Sequence, residues 1–397
     1  MHDPCIDAAD LAAWAKILID HSLGGVAPGE RVMLKGEPVC WPLLEVLERD
    51  VILAGGLPDV LLVPPNNERG RVWSAAMAAH GTREQIAATP AWHRDRYETM
   101  TKYVEVLGAE DPAAYASLTA PQRQALAQVD EPFWALRLAR RWVLTLYPTP
   151  AFAAAEGLPF DEYVRFIVAA STADPVPLKA AAERLAPLLE HGRSVEIVTV
   201  RPDGRELLLK LDITPSLPAL SYGLRNLPDG EVYTSPDARA TVGEIFLDLP
   251  VYHGGQDMRG IYLRFEEGRV VEHTAEEGGE LLAAIVGTDE GARRLGEVAL
   301  GLNRGLGRAL KHPLLAEKVG GTLHIALGDA IEDCFVTDPA SAGGKTQLAE
   351  LASAGVLNHS AQHLDIVADF RPGGCGRRVA IDGQELVVRD GGWLLPG

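Results

Sequence analysis

The sequence predicts two domains: an α/β N-terminal domain, doubly wound around a mainly parallel sheet, and an α+β, strand-rich C-terminal domain. Three observations point there. At 397 residues the chain is too long for one ordinary hydrophobic core. Its first half alternates buried strands with amphipathic helices, separated by glycine breaks. Its second half changes to alternation with period two, punctuated by hairpin turns. The boundary is placed near residue 190, giving domains 1–190 and 191–397.

Asp7 to Leu23 carries Leu11, Trp14, Ala15, Leu18 and Ile19 at helical spacing, so an amphipathic helix is expected, ended by Gly24-Gly25. Pro28-Gly29 turns the chain into a short buried strand, Arg31 to Lys35. A helix from Trp41 to Ala54 stops at Gly55-Gly56, and the strand Asp59 to Val63 follows, ended by Pro64-Pro65. Strand, helix, glycine break and strand make a βαβ unit with parallel strands and a right-handed crossover. Gln122 to Leu138 reads as helix and Arg141 to Leu146 as another buried strand, closed by Pro148-Thr149-Pro150. The loop after the first strand, Gly36-Glu37-Pro38-Val39-Cys40, has no glycine fingerprint, so no dinucleotide site is expected there. Phe160 to Leu189, interrupted by Pro175 and Pro177, reads as a helical connector.

Beyond it, Ser194 to Val200 and Glu206 to Leu211 alternate around Pro202-Asp203-Gly204, a hairpin signal. Gly243 to Val251, Gly260 to Glu266 and Arg269 to Ala275 continue as antiparallel strands, the last two joined at Glu267-Gly268. A helix is expected from Asp289 to a C-cap at Gly296, with a strand starting at Glu297. Leu323 to Leu327 and Leu364 to Phe370 are further strands, and Val379 to Ile381 with Leu386 to Arg389 make a closing hairpin around Asp382-Gly383. An α+β domain or a distorted barrel satisfies this pattern.

Composition excludes several function classes. Hydrophobic residues make up 47% and charged residues 23%, which is ordinary globular usage. The net charge of −18 argues against nucleic acid or an anionic membrane as the main partner, because either needs a basic face. No run of 18 apolar residues occurs, and Met1-His2-Asp3-Pro4 opens no signal peptide. Cys5, Cys40, Cys334 and Cys375 are scattered without a C-x-x-C pair, which fits a reducing cytoplasm rather than a disulfide framework. Asn358-His359-Ser360 fits a glycosylation sequon, of no consequence without secretion.

Candidate chemistry lies in the second half. In a strand, residues i and i+2 project from one face, so His363 and Asp365 would present an imidazole and a carboxylate side by side. A nitrogen and an oxygen donor on one rigid edge suit a divalent transition metal such as Zn, Co, Mn or Fe. Glu231 begins a β segment at the mouth of the Pro228-Asp229-Gly230 turn, well placed to line a cleft. Glu297 begins an apolar strand, an awkward place for a charge unless it is paired or bound to metal. His324 sits inside the apolar run Thr322 to Leu327, where a lone histidine is more often a satisfied core residue. His253, in Tyr252-His253-Gly254-Gly255-Gln256, is a candidate substrate contact, with a surface turn histidine as the plainer alternative.

Four blocks carry a family resemblance: Asn226-Leu227-Pro228-Asp229-Gly230-Glu231-Val232-Tyr233-Thr234-Ser235-Pro236; Gly296-Glu297; Gly320-Gly321-Thr322-Leu323-His324-Ile325-Ala326-Leu327-Gly328; and Asn358-x-Ser360-x-x-His363-x-Asp365. In this order they resemble the aminopeptidase T/aminopeptidase S family of metallopeptidases, the thermophilic-type metalloaminopeptidases, over nearly the whole chain. The resemblance implies a C-terminal metal-binding domain with a dinuclear site (Zn, Co, Mn or Mg) built from Glu231, Glu297, His324, His363 and Asp365. It also implies removal of N-terminal residues from short peptides, Glu231 and Glu297 serving catalysis, and a homodimer whose cleft the N-terminal domain partly closes. In one respect this chain departs from the family. A tyrosine usual in the family seven residues after the first metal-site histidine is Ile331 here.

The chain is also similar to the 2,5-dihydroxypyridine dioxygenases, which hold one Fe(II) with a His, His, Asp set; His324, His363 and Asp365 would supply it. A non-peptide amide hydrolase on the same scaffold is a further alternative. Other motifs fall away. Gly343-Gly344-Lys345-Thr346 ends like a P-loop, but the position of its first glycine is Pro339. Gly305-Leu306-Gly307 lacks a third glycine and reads as loop. Neither G-x-S-x-G nor H-E-x-x-H occurs.

Overall fold

A computed structural model of the chain describes residues 6–63, 72–88, 90–110, 118–215, 217–253, 256–308, 310–371 and 376–395. Met1 to Cys5, Pro64-Pro65, Gly254-Gly255 and Cys375, touched on above, lie outside these residues. The strands run β1 (Arg31–Gly36), β2 (Leu57–Leu62), β3 (Lys102–Leu107), β4 (Arg141–Leu146), β5 (Ser194–Val200), β6 (Glu206–Asp212), β7 (Ala219–Ser221), β8 (Asn226–Leu227) and β9 (Glu231–Thr234). They continue as β10 (Val242–Leu247), β11 (Val251–His253), β12 (Gln256–Glu266), β13 (Arg269–Glu277), β14 (Leu295–Gly301), β15 (Thr322–Gly328), β16 (His363–Asp369), β17 (Arg378–Ile381), β18 (Gln384–Arg389) and β19 (Gly392–Leu394).

Two compact units form. The first holds Met1–Ala173 and Gly223–Pro228, the second Asp174–Tyr222 and Asp229–Gly397. Phe160–Ser171 and Val176–His191 are separate helices, and the division falls between them rather than at residue 190.

In the first unit the sheet order is β2-β1-β3-β4-β8, and every pairing is parallel. The expected βαβ unit is present, with the helix Trp41–Leu53 between β1 and β2. The opening helix, Ala8–Lys16, is capped by the Asp7 side chain and continues as a π-helical turn over Ile17–Ser22. Strand β3 has no counterpart in the sequence reading, because Lys102 and Glu105 interrupt its apolar pattern. Tertiary partners make that interruption tolerable. Lys35 pairs in register with Glu105, its Nζ 3.6 Å from Oε1, and the Tyr103 hydroxyl donates to Glu105 Oε2 at 2.7 Å. A buried charge needs such compensation.

The second unit carries two antiparallel sheets. One follows β11-β12-β10-β6-β5-β17-β18-β19, with β13 on β12; the other follows β16-β15-β14-β9-β7. Both predicted hairpins form, β5–β6 and β17–β18, and Glu267-Gly268 joins β12 to β13 in positive φ. Alternate residues of the five-stranded sheet, among them Val232, Val298, Leu300, Leu323, Ile325, Leu364 and Ile366, enter one core with Ile197, Leu209 and Leu185. Period two then sends the intervening residues to the opposite face.

The region before β14 differs from expectation. No helix runs from Asp289 to Gly296. The helix lies earlier, at Gly279–Val286, followed by a short 3-10 turn at Gly291–Arg293. Asp289 instead accepts from the Ser360 hydroxyl at 2.8 Å and from the Ala361 amide at 2.8 Å, tying down the approach to β16. Gly296 is a strand residue at a register shift, and a Cβ there would lie 2.0 Å from the Asp329 carbonyl oxygen. Close backbone approach, not helix termination, is what requires this glycine. Gly343 to Thr346 lie in the helix Ala342–Ser353, capped by Ser341. No helix among the described residues is long and apolar enough to cross a membrane.

Candidate metal centre

The second face of the five-stranded sheet assembles the polar residues. Tyr233 stands opposite Ala299, and Ala299 opposite His324. Glu297 stands opposite Ala326, and Ala326 opposite Asp365. His363 pairs with Gly328 one row further, and Glu231 with Gly301 one row back. Residues paired across antiparallel strands share a face, so all of these project to one side. The predicted i, i+2 relation of His363 and Asp365 holds on β16.

The five predicted donors lie close to one another. His324 Nε2 lies 3.1 Å from Glu297 Oε1, 3.5 Å from Glu231 Oε2 and 3.8 Å from Asp365 Oδ1. His363 Nε2 lies 3.4 Å from Glu297 Oε2 and 3.4 Å from Asp365 Oδ1. Its Nδ1 is 2.8 Å from the Asp329 carbonyl; a carbonyl can only accept, so Nδ1 donates and Nε2 faces the carboxylates.

Glu317 and Lys318 join them, although nothing in the sequence singled them out. Lys318 Nζ donates to Glu231 Oε1, lies 2.7 Å from Glu317 Oε1 and 3.9 Å from Asp229 Oδ1, and is buried. An adjacent Glu-Lys pair ahead of Gly320-Gly321 looks like ordinary surface, so its burial is visible only in three dimensions. His253 ends β11 opposite Gln256 and belongs to none of the donor groups described next.

Among the described residues, three groups of side chains bring ligand atoms within 4.8 Å of one another: Glu231, Glu297 and His324; Glu297, His363 and Asp365; and Glu317, His324 and Asp365. Within the predicted donor set, the buried carboxylate oxygens Glu231 Oε2 and Asp365 Oδ1 have no hydrogen-bond partner. An orphaned buried oxygen is costly, and oxygens beside imidazole nitrogens are a donor set that fits divalent metal.

The electrostatics describe a site of excess carboxylate. Burial pushes Glu231 up to about 7, against the opposing pull of Lys318. Burial acts the same way on Glu297, but hydrogen bonds from His324 and His363 hold it below the usual range. Burial works to lower His324, yet Glu297 and Glu231 raise it to about 9; Asp365 and Glu297 likewise carry His363 to about 12. Asp365 is held well down despite its burial, chiefly by His363. Protons on the imidazoles thus stand where cations would otherwise balance the carboxylates.

A family model described as thermophilic metalloprotease (M29) matches residues 7–393. The chain belongs to the M29 thermophilic metalloprotease family. Among M29-like relatives, aminopeptidase T of Thermus thermophilus is 33% identical over 180 residues, 40% of this chain and 44% of that protein. Aminopeptidase 2 of Geobacillus stearothermophilus is 34% identical over 177 residues, 43% of this chain and 40% of that protein. The matched segments therefore span less than half the length of these relatives. A solved structure of wild-type AmpT from Thermus thermophilus superposes with a TM-score of 0.77 at 23% identity, covering 98% of this chain and 99% of that one. A 2,5-dihydroxypyridine dioxygenase from Pseudomonas putida KT2440 superposes with a TM-score of 0.55 at 13% identity, with the same coverage. At these identities both likenesses are of fold, and they support the α/β plus strand-rich α+β architecture of this M29 chain.

Proposed function

We propose that this M29 chain is a metal-dependent hydrolase that removes N-terminal residues from peptides. The observation that carries the reading is the position of Glu297, shared between one donor group with Glu231 and His324 and another with His363 and Asp365. With one oxygen toward each imidazole, Glu297 would help hold divalent ions such as Zn, Co, Mn or Mg together with the residues of both groups. When bound, two such ions supply an activated water at neutral pH and polarise the scissile carbonyl.

The chain's own residues do the rest. Lys318 holds Glu231 by Oε1 and leaves Oε2 turned to His324. The Asp329 carbonyl fixes the His363 ring. Glu317 completes a further group with His324 and Asp365 and is a candidate donor in its own right. His253 enters the proposal only as a substrate contact. The names of the aminopeptidase relatives support a peptide substrate, and two buried free thiols, Cys40 and Cys334, fit a reducing cytoplasm. A homodimer is part of the same proposal, to be checked by sizing.

The test is metal content per chain by mass spectrometry, with leucine-p-nitroanilide turnover followed on the same sample. Two divalent ions per chain with turnover is the expected result. One iron per chain without amide turnover would overturn it in favour of the oxygenase reading, for which His324, His363 and Asp365 offer the ligands.

A further inference from the structure

Among the described residues, the functional face of the five-stranded sheet carries Tyr233, a neutral proton donor whose role is unassigned. Tyr233 lies two residues beyond Glu231 on β9, so both side chains leave the strand on the same side. Across β14 its partner is Ala299, whose single methyl separates it from His324 in the same row. Glu297, two residues before Ala299 on that face, is a diagonal neighbour, and diagonal neighbours about 7–8 Å apart lie within reach of an aromatic side chain.

The ring is anchored from outside. Tyr233 and Ile331 both pack against the apolar cluster of Ala330, Cys334 and Phe335, on the segment that follows the Asp329 anchor of His363. Tyr233 is partly buried, and its hydroxyl is not among the buried polar atoms of the described residues that lack a hydrogen-bond partner. Lys318, the other proton donor beside the carboxylates, already holds Glu231 and Glu317.

We propose that Tyr233 is a catalytic residue of the hydrolysis proposed above, on which this inference rests: its hydroxyl donates a hydrogen bond to the scissile carbonyl oxygen as negative charge develops there. The proton stays on the phenol throughout, so Tyr233 itself makes and breaks no covalent bond, while water adds to the carbonyl carbon and the amine departs. A fixed donor aimed at a developing oxyanion is worth about 100-fold or more in kcat.

The experiment compares wild type with Tyr233→Phe, both loaded with the same divalent metal, on leucine-p-nitroanilide. The variant should lose about 100-fold in kcat with KM within about twofold, while metal per chain and thermal midpoint stay unchanged. Its affinity for the aminophosphonic acid analogue of leucine, which presents a tetrahedral oxyanion, should fall by at least about tenfold in titration calorimetry. A kcat within about twofold of wild type overturns the assignment. A variant that loses metal together with activity also overturns it, because Tyr233 would then serve the donor set. Failure of the hydrolase reading shows separately, as a metal-loaded wild type that turns over no amide, and it takes this assignment with it.

Discussion

Lys318 and Glu231 form an ion pair with both side chains buried, and the pair sets the orientation of the carboxylate. The ammonium takes Oε1, while Oε2 is left 3.5 Å from His324 Nε2 without a hydrogen bond of its own. Three further carboxylates, Glu297, Glu317 and Asp365, stand around the same imidazole.

Removing the ammonium should therefore hurt the metal-free protein most. Lys318→Met would leave Glu231 and Glu317 buried without their cation, and breaking a buried pair costs about 3–5 kcal/mol. The thermal midpoint in excess chelator should drop. Divalent ions should restore more of it in the variant than they add to wild type, because they supply the missing charge.

Metal stoichiometry should divide the donors. Glu297 belongs to two of the three groups, so Glu297→Gln should lower metal content more than loss of a donor found in one group. His363→Ala should remove about one ion of two, leaving the group of Glu231, Glu297 and His324. Equal metal content in both variants and in wild type would show that these side chains hold no ion.

The pH dependence of the metal-free chain follows from the raised groups. Glu231, His324 and His363 bind protons more tightly when folded than ordinary glutamate and histidine side chains, which titrate near 4.5 and 6.5. The folded state then carries more protons than the unfolded one, and stability falls as pH rises. The contribution of Glu231 is lost by about pH 7, and that of His324 between its unfolded value and about 9. Thermal midpoints in chelator should decline from pH 6 to pH 9. The same protons must leave before metal binds, so affinity for divalent ions should rise over that interval. A flat profile in chelator would contradict the described proton distribution.

Gly296→Ala tests how the backbone positions Glu297. Its Cβ would meet the Asp329 carbonyl oxygen at 2.0 Å, and that oxygen holds His363. We expect a loss of about 3 kcal/mol or more in stability, and weaker metal binding by calorimetry.

Much of the fold was legible because local rules and tertiary structure agree. Asp7 caps the first helix, and Asp382-Gly383 turns the last predicted hairpin. Where they disagree, the sequence misleads. Lys102 and Glu105 hide β3, since a charge inside a strand is acceptable only beside Lys35 and the Tyr103 hydroxyl. Gly296 imitates a helix C-cap, although its reason is the backbone of Asp329 from another strand end. Asn358 lies in a sequon by composition, yet its amide is buried and donates to Gly291 and Gly328 carbonyls.

The donor set divides in the same way. Glu297 stands out in the sequence because a charge in an apolar β segment is costly without a partner, and Glu231 because it opens a β segment at a turn, whereas the grouping of these two with His324, His363 and Asp365 is what the family resemblance implies. Strand periodicity alone also places His363 beside Asp365. That Glu297 reaches both imidazoles, that buried Lys318 and half-buried Glu317 stand against the donors, and that Tyr233 shares their face depend on the tertiary structure, above all on the register of β9, β14, β15 and β16. Register links residues tens of positions apart through shared core packing, and no local pattern encodes it.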